Sequence, residues 1–351
     1  MAKVVQIVFL MASILMAATV VGAYDILLGA YYGLVGDNLP PPWKVVQLCE
    51  QYNIRRVRLD VPDVDVLTAF RGGAIDVSFG IPNNMLTDLA NNKGLVEEWF
   101  NTYVKTFVDD FRINYIIVGD KAIPSHANFI LPIMMSLQDL LNANYLGQVK
   151  LTTLVGYNAA LVSKDPPSSG TFDPTVRESM RGILKFLAEE GSALMVSVFP
   201  HQKYEFNGGI SLNYAIFNET NPVVQDEGLE YYNLFDAMVD AFYAAIEKEM
   251  VGEVNIVVGE TGWPTCGDIS GTQAIAKEYN NKFKSHISSG NGTPRKPNVY
   301  LEGFIQSIFN EDKKPEGDSQ CYGMFDVNMK PIYPLFSTAT AENMFMSGKK
   351  N

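Results

Sequence analysis

Asn255-Ile256-Val257-Val258-Gly259-Glu260-Thr261-Gly262-Trp263-Pro264 is the stretch on which the fold turns. A short run rich in β-branched residues, with no polar alternation, is the pattern of a strand covered on both faces, as in a parallel sheet. The run breaks into a Gly/Pro turn, and Glu260 stands at the break. In closed α/β barrels the C-terminal strand ends carry the chemistry, which makes Glu260 the first candidate for a nucleophile. The plain alternative is a strand-end acid that caps the next helix. A second segment, Tyr115-Ile116-Ile117-Val118-Gly119-Asp120-Lys121, has the same build and also runs from apolar strand into glycine and charge.

Outward from these two segments, strands are expected to end near Tyr32, Leu59, Gly80, Gly119, Val155, Phe199, Glu260 and Phe304. Amphipathic stretches at 95–111, 129–143, 174–190, 231–247 and 272–289 lie between them. Alternation of this kind predicts a parallel sheet, and eight units predict closure into a single (β/α)8 TIM barrel over residues 24–336.

Residues 1–23 read as a secretory leader, with Lys3 as the basic start, an apolar run to Val21, and Val21-Gly22-Ala23 as the small residues before the cut. No second long apolar run follows, so no transmembrane segment is expected and the chain is expected to be secreted, to the extracellular space, cell wall or vacuole. The polar tail 337–351 lacks the apolar end of a lipid-anchor signal. Asp plus Glu number 39 against 27 Lys plus Arg, a net charge of −12. Such a surface offers little to nucleic acid, whereas a neutral polysaccharide is indifferent to it. Cys49, Cys266 and Cys321 are too few and too scattered to suggest a disulfide framework, and the odd count leaves at least one free thiol. His126, His201 and His286 are far apart and none has a Cys or His at ligand spacing, so a zinc site is disfavoured and neither a metal nor a cofactor is expected. Asn218-Glu219-Thr220 is the better of two sequons and a candidate surface glycan site; the other, at Asn291, is followed by Pro294.

From about Leu27 to Phe336 the chain resembles the plant endo-β-1,3-glucanases of glycoside hydrolase family 17. The resemblance rests on Gly29-Ala30-Tyr31-Tyr32-Gly33, Asn53-Ile54-Arg55-Arg56-Val57-Arg58, Asn233-Leu234-Phe235-Asp236-Ala237-Met238, Glu260-Thr261-Gly262-Trp263-Pro264 and Phe309-Asn310-Glu311, in the family's order. It implies a monomeric retaining glycosidase acting on β-1,3-glucan or a related cell-wall polysaccharide. Glu260 falls at the nucleophile, and Tyr32, Phe199, Trp263, Glu302, Phe304 and Glu311 fall at positions that bind sugar or support the acids. The family's strand-four motif Val-Gly-Asn-Glu, however, reads Val118-Gly119-Asp120-Lys121. Its Glu is the acid/base and its Asn holds the 2-hydroxyl, so Lys121 occupies the acid/base position. Asp120 and Asp60 are extra strand-end acids and candidate substitute donors. Asp60, His201 and Asp326 stand where the family's cleft carries tyrosines.

Retaining hydrolysis needs two carboxyl groups about 5–5.5 Å apart, one to attack and one to exchange the proton. An ammonium at that distance from Glu260 would be held charged and would pair with the nucleophile. The expected function is a β-1,3-glucan hydrolase of reduced or altered activity. The alternative is a non-catalytic secreted glycan-binding or decoy protein on the same barrel.

Overall fold

Each apolar run read from the sequence becomes a strand in the computed structural model, which describes residues 27–206, 208–267 and 269–338. The leader, and the tail beyond residue 338, lie outside the described residues. The strands are β1 (Leu28–Tyr31), β2 (Arg56–Leu59), β3 (Asp76–Ile81), β4 (Ile113–Asp120), β5 (Lys150–Gly156), β6 (Leu194–Ser197), β7 (Ile256–Thr261) and β8 (Glu302–Ile305). They pair in parallel in sequence order, and β8 closes onto β1 with Leu28 opposite Gly303. The expected (β/α)8 barrel is therefore the observed fold.

Two layers of apolar side chains hold it. Tyr115, Ile117, Leu154, Met195, Val257 and Phe304 form a separate buried cluster inside the barrel. There β7 approaches so closely that a Cβ on Gly259 would lie 2.5 Å from Met195 Cγ. The larger cluster lies between the outer strand faces and the surrounding helices, among them α1 (Pro42–Gln51), α2 (Lys93–Phe100), α3 (Ala127–Ala143), α4 (Arg177–Glu189), α5 (Leu234–Glu249) and α6 (Gln273–Ser289). Side-chain caps set the starts of the last two: Asn233 accepts from Asp236 N at 2.8 Å, and Thr272 accepts from Ile275 N at 3.3 Å. The helix expected over 95–111 ends at Phe100 and continues as a wide turn over Asn101–Lys105. Asn, Thr, Tyr and Val there are weak helix formers.

Both strands that end in candidate catalytic groups are irregular at that end. The β4–β5 register shifts between Ile117 and Asp120, and the β7–β6 register shifts between Val258 and Glu260. Such shifts re-aim side chains at barrel rims. Cys266 and Cys321, which the sequence reading left outside any framework, form a disulfide. It ties the segment after β7 to the segment after β8, while Cys49 is the buried free thiol of the odd count. Spacing along the chain carried no sign of this pair, because its two halves meet only once the barrel has closed.

Candidate active site

Strand alternation puts Arg56 and Arg58 on one face of β2, turned into the barrel. Arg58 is fully buried and gathers three carboxylates at the C-terminal end. Its Nη1 donates to Glu260 Oε1 at 3.2 Å, and its Nη2 donates to Asp60 Oδ1 at 3.2 Å and to Asp120 Oδ2 at 2.5 Å. Lys121, just beyond β4, closes the group from the cleft side. Its Nζ donates to both oxygens of Glu260, at 3.0 and 2.8 Å, and lies 3.3 Å from Asp120 Oδ1. Ser197 Oγ, from the end of β6, donates to Glu260 Oε2 at 3.0 Å.

Local backbone geometry lets Asp120 and Lys121 reach one site although they are consecutive. Gly119 and Lys121 both have positive φ, 84° and 48°, the left-handed region that ordinary residues seldom enter. Asn83 stabilises the turn by a reciprocal pair of hydrogen bonds to Asp120, donating to its carbonyl at 2.7 Å and accepting from its N–H at 2.9 Å. Tyr31 completes the wall and donates to Asp60 Oδ2 at 2.5 Å.

The electrostatics follow from burial opposed by charge. Burial would raise the Glu260 carboxyl, but Lys121 and Arg58 outweigh it and hold Glu260 below its ordinary value. Burial would lower the Lys121 amine, yet Glu260 and Asp120 hold it above the ordinary lysine range. Arg58 is likewise held charged, because Asp120, Glu260 and Asp60 overcome its desolvation. Asp120 moves the other way, raised chiefly by burial against the opposing pull of Arg58 and Lys121. Burial, then Asp60 and Glu311, push the Tyr31 hydroxyl well up, so it remains a donor.

Two cavities flank Lys121. One, of 380 Å³, is lined by Tyr31, Asp60, Asn83, Asp120, Glu260 and Lys314 among others. The other, of 210 Å³, lies toward Ser197, Phe199 and Lys203. A hollow of 460 Å³ opens at the opposite end of the barrel, around Arg56, Tyr115 and Glu302, and none of the three C-terminal acids lines it.

Of the residues read from the sequence, Glu260, Lys121, Asp120 and Asp60 come together, and Phe199 lines the smaller cavity. Four do not match the cleft positions the resemblance implied. Tyr32, Trp263 and Phe304 are 2%, 0% and 0% exposed and present no ring face to a sugar. Tyr32 faces the core because its neighbour Tyr31 faces the cavity; Trp263 donates from Nε1 to Ser270 O at 3.0 Å; Phe304 fills the barrel interior. Glu302 begins β8 and so sits at the N-terminal end, where Arg56 Nη2 lies 2.6 Å from its Oε2. Glu311 supports the cleft from behind. It accepts from Val35 N at 3.1 Å and from Lys314 at 2.5 Å, and Lys314 lies over the Tyr31 ring. His201 is buried, with Nε2 2.8 Å from Glu205 Oε1, and Asp326 caps a turn by accepting from Asn328 N and Lys330 N. Neither stands in for a cleft tyrosine. Asn218 is partly exposed and donates to Glu278 Oε1 at 2.6 Å.

Arg58, Tyr31, Asn83 and Ser197 are the functional neighbours that sequence reasoning did not assign. The alternating arginines of Arg56-Val57-Arg58 inside an apolar strand were the available signal for the first. Among the described residues, the ligand atoms of Asp60, Asp120 and Glu260 lie within 4.8 Å of one another, as do those of His201, Glu205 and Asp318. In the first set Arg58 and Lys121 already supply the cations that such a cluster would draw. In the second, His201 Nε2 lies 2.8 Å from Glu205 Oε1 and Nδ1 lies 3.7 Å from Asp318 Oδ2, so the imidazole pairs with both carboxylates.

A closed parallel barrel with a partly compensated acid cluster at its C-terminal strand ends, opening on cavities, is the layout of a (β/α)8 enzyme scaffold. Comparison with known proteins makes this specific. The model of glycosyl hydrolases family 17 matches residues 28–336, and the chain belongs to that family. It is 40% identical to the probable glucan endo-1,3-beta-glucosidase BG4 of Arabidopsis thaliana, over 88% of this chain and 90% of that one. Lichenase-2 of Hordeum vulgare is 34% identical, over 88% and 97%. Among solved structures, CJP38, a beta-1,3-glucanase and allergen of Cryptomeria japonica pollen, superposes with a TM-score of 0.85 at 37% identity, covering 88% of this chain and 99% of that one. The protein is thus a β-1,3-glucanase-like member of the family.

Proposed function

We propose that this chain engages β-1,3-glucan on a retaining-glycosidase scaffold, with Glu260 as nucleophile and Lys121 at the acid/base position, and that its turnover of unactivated glucan is reduced or altered. The observation that supports this reading is the two-pronged contact of Lys121 Nζ with both Glu260 oxygens. A carboxylate held in that way is a weaker attacker, and an ammonium held charged by it is a poor donor to a leaving sugar. Asp60 and Asp120 are near enough to be considered as substitutes, but each is already engaged by Arg58, and also by Tyr31 or Lys121 respectively. The purified chain should form a glycosyl adduct on Glu260 with an aryl β-glucoside whose leaving group needs no proton. Hydrolysis of laminarin should fall short of an intact two-carboxylate enzyme by about 10²–10⁴. Laminarin turnover matching that of an intact family member would overturn the reading.

One observation favours a second reading, a non-catalytic glycan-binding or decoy protein. Arg58, Ser197 and both contacts from Lys121 together occupy the Glu260 oxygens. Absence of any adduct, with laminari-oligosaccharide binding intact, selects it. On either reading the chain is proposed to be a secreted or vacuolar monomer that carries a glycan on Asn218.

A further inference from the structure

Lys164 and Lys203 come from different βα segments yet place their ammonium groups over one ring, that of Tyr157, at 4.7 and 5.2 Å from its centroid. Lys203 is 8% exposed. It donates to the Tyr157 hydroxyl at 3.2 Å and to Asp165. These contacts engage two of its three ammonium donors. The Asp165 side chain is 59% exposed, and water screens its charge. Lys164 donates to Asn158 Oδ1 at 2.7 Å. Burial first, then the charge of Lys203, hold its amine below the ordinary lysine range against the opposing pull of Asp165.

The 210 Å³ cavity beside Lys121 opens directly onto this arrangement. Its lining combines Lys203 and Lys121 with the polar groups of Asn158, Gln202 and Ser197 and the Phe199 ring, and no carboxylate lines it. In a chain of net charge −12, this wall presents two ammonium groups and no carboxylate among its lining residues, their partners Glu260, Asp120 and Asp165 standing behind it. A neutral glucosyl unit offers a buried ammonium only hydroxyl oxygens, whereas an anionic substituent offers an acceptor of opposite charge and adds a direct ionic attraction to the hydrogen bond.

We propose that this cavity is a subsite for an anionic sugar, one whose carboxylate or sulfate ester takes the remaining Lys203 donor beside the Glu260 centre. The proposal rests on the glycan-binding reading above and names the substrate class that reading leaves open. Calorimetric titration of the full chain with neutral, C6-carboxylated and C6-sulfated laminari-oligosaccharides of equal length tests it. At least one charged form should bind about tenfold more tightly than the neutral one, and added salt should shrink the difference. The stronger of the two identifies the anion. Lys203→Gln should bring the charged ligand close to the affinity of the neutral one, while Lys203→Arg should keep the preference. If Lys203→Gln does not fold, Lys164→Gln provides the same readout with a smaller expected loss, because that amine acts beside the anion. Neutral ligand bound as tightly as both charged forms, or a preference that survives these neutralising substitutions, overturns the subsite and leaves the glucan reading intact. No binding of any of the three overturns both.

Discussion

Arg56 and Arg58 enter the barrel from the same strand, two residues apart, and meet opposite surroundings. At the N-terminal end Arg56 pairs with Glu302 at 2.6 Å, and the Tyr115 hydroxyl donates to the same oxygen at 3.1 Å. The Glu302 side chain is 26% exposed. At the C-terminal end Arg58 meets Asp60, Asp120 and Glu260, and only with Lys121 does the group hold two cations against three acids. The first arrangement sets an ion pair beside the 460 Å³ hollow at that end. The second gathers three acids and two cations at the C-terminal strand ends beside two cavities, and sites of that kind are where function concentrates. The contrast shows that neither an inward-facing arginine nor an opening beside it marks a site by itself, since a hollow of 460 Å³ lies at the Arg56 end as well; what differs is that Arg58 spans three acids with Lys121 alongside.

The largest expected effect is on turnover. Lys121→Glu combined with Asp120→Asn should raise laminarin hydrolysis by about 10²–10⁴, because it restores a proton donor and releases Glu260. Glu260→Gln should abolish whatever hydrolysis remains, whereas Glu302→Gln at the other end should leave it within a few-fold. Equal losses from the two Glu→Gln changes would erase the distinction between the barrel ends. A double variant that binds laminari-oligosaccharides without any gain in turnover would refute the role proposed for Lys121.

Stability sharpens the same comparison. Arg58→Met strands three acids in a buried setting and should cost about 3–5 kcal/mol by urea unfolding. Arg56→Met leaves a single, partly hydrated Glu302 and should cost about 1–3 kcal/mol. A reversed order would mean that the N-terminal pair carries the fold. Paired replacement of Cys266 and Cys321 by serine should cost about 2–4 kcal/mol, since the bond closes a long loop between the segments after β7 and β8. Melting temperature with and without reductant checks this on the unaltered chain.

The smallest effect is the pH dependence of the Lys121–Glu260 contact. Glu260 is depressed in the folded state, so its contribution is present above the ordinary glutamate range and is lost as pH falls through the lower folded value. Lys121 is raised, so its contribution is complete below the ordinary lysine range and is lost only as pH rises through the higher folded value. The stability difference between the native chain and Lys121→Met should therefore be flat from about pH 6 to 9 and shrink in acid. With the lysine side chain 47% exposed it should stay near or below about 1 kcal/mol. A difference that grows as the solution is acidified would contradict the assigned ion pair.

Much of this was legible before any coordinates. Unbroken apolar runs ending in Gly and charge announce buried parallel strands, and Glu260, Asp120 and Lys121 were recognisable because each ends such a run. The aromatic positions were less legible. Tyr31 and Tyr32 are adjacent, and only the pleat at the strand end decides that Tyr31 lines the cavity while Tyr32 packs outward. Trp263 and Phe304 carry large rings that serve packing as well as sugar stacking, and full burial assigns them to packing.

By itself, the sequence determined the periodicities, and with them the barrel and the strand ends at which Glu260, Asp120 and Lys121 stand. Tertiary structure alone decided that Arg58 spans three carboxylates, that Glu302 belongs to the opposite end, that Cys266 finds Cys321, and that Lys164 and Lys203 share one ring. Strand and helix patterns are written in neighbours a few residues apart. Arg58 and Glu260, by contrast, are 202 residues apart and meet only through closure, register and two local register shifts.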